Sequence, residues 1–148
     1  ALLQVDPMLS SDARAEWRQR VAWAYYINND DNAALDMAET VGAGTGAWVA
    51  EGDWVAGLAA WRLGQCGRAA DAFIRAAGRA ANPELAAASN YWAHRALVRC
   101  REPGKAQEFL YAAARSDETL YGMLAADQLG IALPAETMLR PLRAEEWR

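Results

Sequence analysis

One spacing, 36 residues, recurs along this chain and constrains its fold more than any single motif does. Ala24, Ala60 and Ala96 stand at that interval, and Tyr25, Trp61 and Leu97 follow them. A second set keeps step: Ala34, Ala70 and Ala106; Met37, Phe73 and Phe109; Ala38, Ile74 and Leu110; Val41, Ala77 and Ala113. Alanine is common here, so the aromatic and large aliphatic columns carry the inference. Within each stretch apolar residues fall at i, i+3, i+4 and i+7, and no run alternates β-branched with polar residues as a strand would. The pattern predicts helices over about 11–28, 31–42, 47–64, 67–80, 83–101, 104–115 and 118–129, with another near 135–147. Asn82-Pro83 has the chemistry of a helix start, Pro103-Gly104 marks a break, and Gly130 is a C-terminal stop.

Two helices per 36-residue unit is close to the roughly 34-residue helix-turn-helix of tetratricopeptide arrays, where small residues let paired helices approach. We therefore expect an all-α, right-handed, tetratricopeptide-like superhelical solenoid. Its units cover approximately 11–46, 47–82 and 83–117, with a closing part over 118–148. The helix from Ala47 to Leu63 carries one stripe of Trp54, Leu58 and Trp61 and another of Trp48, Val55 and Ala59, so it should be sandwiched between neighbours. Gly122, Ala125, Ala126 and Leu129 form a small-residue face that should approach the helix carrying Phe109 and Leu110. With no polar capping helix evident at either side, the chain reads as part of a longer one.

The 148 residues are 53% hydrophobic, enough for one continuous core. A net charge of -4 argues against a dedicated nucleic-acid binder. No apolar run is long enough to cross a bilayer. The charge is uneven, because residues 61–105 hold seven arginines and Lys105 against three acids. This basic band, Arg62, Arg68, Arg75, Arg79, Arg95, Arg99 and Arg101, reads either as a groove that attracts anions or as the solvated outer face that any helical repeat needs.

Nothing in the chain spells out a catalytic, cofactor or metal site. His94 has no serine or cysteine nucleophile at a recognisable spacing and reads as a packing residue. Glu51 and Asp53 are a carboxylate pair on a tryptophan-rich helix, but residues two apart on a helix point to different faces and would not flank one glycosidic bond. Glu84 suits the dipole of a helix start. Of the seven tryptophans, most belong in a core at helical spacing, and Trp17, Trp48 and Trp92 are the ones whose helices could present them at an edge to a sugar ring. Cys66 and Cys100 cannot build a zinc site with the single histidine. They are structural thiols or, in an oxidising compartment, a disulfide at one edge of the stack.

The segment "LYGMLAADQLG", Leu120 to Gly130, resembles the Tyr-Gly-x-Leu-Ala-Ala-x-x-Leu-Gly stretch in the α-superhelical region of soluble lytic murein transglycosylases. "WVAGLAAWRLGQCGRAADAF" (Trp54 to Phe73) and "SNYWAHRAL" (Ser89 to Leu97) are similar to helices of the same region, so the resemblance runs over roughly residues 23–134. It implies a periplasmic, non-catalytic scaffold of a peptidoglycan lytic transglycosylase, a murein-cleaving lyase. The glutamate-serine pair and Gly-Leu-Met-Gln stretch of that family's lysozyme-like domain do not occur in this chain. The surface implied for glycan or a partner comprises Arg62, Arg95, Arg99, Trp48 and Trp92, with Cys66 and Cys100 as a possible disulfide. The alternative is a tetratricopeptide-like adaptor whose groove takes a peptide or protein.

Overall fold

The computed structural model describes residues 8–131, which hold seven helices and no strand. They are α1 (Ser11–Ile27), α2 (Asp31–Gly42), α3 (Val49–Arg62), α4 (Cys66–Arg79), α5 (Pro83–Arg99), α6 (Pro103–Ala114) and α7 (Leu120–Leu129). The helix expected near 135–147 lies outside the described residues. Each helix packs on the one before and the one after it, and α1 also touches α3 as α5 touches α7. No described helix is long and apolar enough to cross a membrane.

Local chemistry explains the boundaries. Ser10, Asp30, Asn82 and Thr119 each accept a hydrogen bond from a first-turn N–H, capping α1, α2, α5 and α7. The other end of every odd-numbered helix finishes alike. Asn29, Gly64, Arg101 and Gly130 take left-handed φ values of 64°, 76°, 62° and 70°. The next N–H then reaches back to the carbonyl five residues earlier: Asp30 to Tyr25, Gln65 to Ala60, Glu102 to Leu97 and Ile131 to Ala126, all at 2.9 Å. This is the Schellman closure, built four times on four different residue pairs.

These turns correct the register of the repeat. They fall 35 and then 37 residues apart over the three full units, so a constant interval of 36 averages the two and slips by one in the middle unit. Counted from the turns, Ala34, Ala69 and Ala106 are equivalent, as are Ala38, Phe73 and Leu110, and Val41, Ala76 and Ala113. All nine are buried. Ala70 and Ala77, which the constant interval selects, each sit one position further along. The three-residue turn inside a unit never changes, while the connections between units vary in length.

Alanines dominate the core, so helices pack close, and Phe73 fills the space they leave. Its ring lies 5.4 Å from Trp54 and 6.2 Å from Trp92, and a Cβ added at Gly57 would meet it at 2.5 Å. Helix α3 is buried round most of its circumference, as its two stripes predict. The small-residue face of α7 divides its work. Ala125 and Leu129 pack with Leu110 and Ala113 of α6 and with Tyr91 of α5. Gly122 instead abuts the Ser116 carbonyl and Thr119 Oγ1 of the α6–α7 connection, so the tightest approach is to a turn rather than to a helix.

Candidate functional site

Six arginines of the basic band resolve into two sets, and the seventh, Arg101, is exposed at the turn after α5. In the first, each arginine is held by a carboxylate of an earlier helix. Arg62 Nε donates to Asp31 Oδ1 at 2.9 Å, its Nη2 donates to the Tyr26 carbonyl at 2.6 Å, and its guanidinium lies 3.7 Å from the Tyr26 ring centre. Arg68 pairs with Glu39 and with Gln65. Arg75 and Arg79 converge on Asp53 at 3.2 and 3.4 Å, and Arg79 also donates to the Gly42 carbonyl at 2.8 Å.

Asp53 is 1% exposed, the one carboxylate so deeply buried among the described residues. Burial pushes its carboxyl above the usual range, and the two guanidinium groups pull it back part of the way. Glu51, two residues before it, shares none of these partners, and its Oε2 is shielded from solvent with no hydrogen bond. The two carboxylates do not act as a pair.

The second set faces an open cleft of about 340 Å3 between α3, α5 and α7. Trp61 and Trp92 meet edge to face, with centroids 5.3 Å apart. Arg95 lies 4.6 Å from the Trp92 ring centre and 5.4 Å from that of Trp61, and Arg99 lies 4.6 Å from Trp61. Cation–π contact of this kind fixes a guanidinium plane while leaving its N–H edge available. Arg99 donates to the Trp61 carbonyl at 3.3 Å, and no described carboxylate pairs with either arginine. His94 borders the same cleft. Its Nδ1 is 3.0 Å from the Ala106 carbonyl, which can only accept, so Nδ1 carries hydrogen and Nε2 is left for other partners. Tyr91 Oη accepts from Gln128 Nε2 at 2.8 Å.

Counted from the Schellman turns, Arg62, Arg99 and Gln128 are equivalent residues. Arg62 and Arg99 reach back to the carbonyls of Tyr26 and Trp61, each three residues before the previous turn, whereas Gln128 donates to the side-chain hydroxyl of Tyr91, further up α5. The arginine clasp recurs in two units. Its polar surroundings differ, since Asp31 stands beside Arg62 and no acid stands beside Arg99.

The structure therefore brings together Arg95, Arg99 and Trp92 of the surface expected from the sequence. Trp92 serves as the floor under Arg95. Arg62 is engaged one unit earlier by Asp31. Trp48 lies apart at the start of α3, half-buried, with the Arg20 guanidinium 5.5 Å from its ring. Trp17 is exposed on α1. Trp61, Tyr91, His94 and Gln128 join the cleft unforeseen, although a long polar residue recurs two before three of the four helix-ending turns. Cys66 and Cys100 form a disulfide, with Cα atoms 5.6 Å apart, linking the first residue of α4 to the C-cap of α5 next to Arg99. No cluster of three or more metal-ligating side chains occurs among the described residues. No family model, no curated protein and no solved structure matches this chain.

Proposed function

We propose that this chain is a non-catalytic helical scaffold of a periplasmic peptidoglycan lytic transglycosylase, and that it positions murein for a lysozyme-like domain. In this reading the stacked helix pairs continue as a right-handed superhelix, and the cleft between α3, α5 and α7 is the surface that touches substrate. The observation that carries the reading is that cleft, where two guanidinium groups sit over indole rings with no described carboxylate to neutralise them. A charged edge held on a rigid frame contributes orientation rather than bond-making. The Cys66–Cys100 disulfide supports an oxidising compartment, and the likeness of the α7 segment to the murein-enzyme superhelix supports the substrate.

Cosedimentation with purified peptidoglycan sacculi tests the proposal. The chain should be retained on sacculi at moderate salt and released as salt rises, because the contact is electrostatic. A chain that stays in the supernatant yet captures a defined protein partner would replace this reading with the adaptor.

A further inference from the structure

We propose that the cleft recognises a short acidic peptide through a carboxylate, rather than a neutral sugar ring. The inference deepens the murein reading and rests on it only for where such a peptide comes from. The face of Trp61 that a pyranose would need is already occupied, since Arg95 and Arg99 both lie over that ring. Trp92 is likewise covered by Arg95 and packed beneath against Phe73. What the cleft offers a ligand is therefore the N–H edges of two planar cations one helical turn apart on α5. Such edges match the two oxygens of a carboxylate.

An acceptor sits beside these donors. The Ala106 carbonyl takes the Nδ1 hydrogen of His94, so in the neutral ring Nε2 is the nitrogen left to accept a peptide N–H. A carboxylate with an amide N–H a few atoms away is the chemistry of a peptide C-terminus or an acidic residue in a chain. The equivalent clasp one unit earlier shows the same chemistry satisfied internally. There Arg62, stacked on Tyr26, takes the carboxylate of Asp31. The α3–α5–α7 cleft has the arginine and the aromatic without the acid.

The probe is the free-acid tetrapeptide Ala-Glu-Ala-Ala, titrated into the chain while the indole N–H signals of Trp61 and Trp92 are followed by NMR. Its Gln-containing C-terminal amide and the neutral tetramer of N-acetylglucosamine serve as comparisons. The acidic peptide should shift both signals in a saturable way, and both comparisons should bind at least about tenfold more weakly, as expected for loss of a charge-assisted pair. Arg95→Gln with Arg99→Gln should weaken the acidic peptide by a similar factor without changing the melting temperature. Lysine at both positions should restore only part, because the planar fork is lost. Equal binding of the acid and the amide, or an unchanged affinity in the glutamine variant, overturns the proposal. Sacculi are tested separately. Retention on sacculi with no response to the acidic peptide rejects this inference and leaves the murein reading standing. Peptide binding in the cleft with no retention on sacculi supports this inference and rejects the murein source.

Discussion

The arginines of α4 and the arginines of α5 look alike in sequence and do opposite things. Arg75 and Arg79 run along α4 and close on the buried Asp53 of α3, so their charge is spent inside the fold. Arg95 and Arg99 run along α5 at the same four-residue spacing and rest on indoles, with no described carboxylate to meet them. The difference comes from what faces each pair. Helix α3 offers the Asp53 carboxylate to α4 and the Trp61 ring to α5, whose own Trp92 lies under Arg95. A buried carboxylate engages the two cations and is left uncompensated if they are removed, whereas a stacked cation is held in place and remains available. One region of the basic band is structure and the other is surface.

The largest effect that could break this contrast lies at the junction of the two regions. The disulfide joins the start of α4 to the end of α5, 34 residues apart in the chain. Replacing both cysteines by alanine should cost about 3–4 kcal/mol, the chain-entropy value for a loop of this size, measured by urea denaturation. A loss below about 1 kcal/mol would mean that the two regions are held together by packing alone.

Next comes Asp53→Ala, expected to cost about 2 kcal/mol. That is less than for a fully buried pair, because the two arginines left behind are nearly half exposed and can be solvated. The paired cleft substitution, Arg95→Gln with Arg99→Gln, should stay within about 0.5 kcal/mol in the same assay. Similar losses in the two variants would erase the distinction.

Arg101→Gly sharpens the comparison from the backbone side. Arg101 occupies the left-handed turn position that glycine fills at residues 64 and 130. Relieving it should raise stability by about 1 kcal/mol, seen as a higher melting temperature. A neutral or negative change would show that the arginine side chain contributes more than its backbone strain costs.

A last test is a pH dependence. Since burial raises the Asp53 carboxyl, the folded chain takes up its proton before the unfolded chain does as pH falls. Its contribution is therefore fully present below the unfolded value of 3.8 and declines as pH rises through the folded value. Relative to Asp53→Asn, the wild type should gain stability on acidification from neutral pH towards pH 3.8. A relative loss over the same range would mean that the arginines outweigh the desolvation.

The helical class, the seven helices and several caps were legible because periodicity and capping are local properties. Asn82-Pro83 and Gly130 do in the structure what their chemistry predicts. The register was legible only on average. Turn residues as unlike as Asn29, Gly64 and Arg101 adopt one conformation, so side-chain identity does not mark the equivalence that the backbone shows. The site was half legible for a related reason. Composition reveals a band of arginines, yet which of them meets a carboxylate depends on pairs such as Arg75 with Asp53 and Arg62 with Asp31, separated by 22 and 31 residues. Asp53 itself was read as one of two carboxylates on a helix. Nothing local distinguishes it from Glu51 until α4 closes over it. The tight approach at Gly122 was foreseen in kind and misplaced in partner, because a turn carbonyl leaves no mark on a helical wheel.

The most direct measurement compares how much chain sediments with peptidoglycan sacculi for two double variants of matched charge. Arg95→Gln with Arg99→Gln should lose most of its retention while melting like the wild type. Arg75→Gln with Arg79→Gln should keep its retention while melting lower. Equal retention in the two, or loss only in the α4 variant, would contradict the assignment of the α3–α5–α7 cleft as the binding surface.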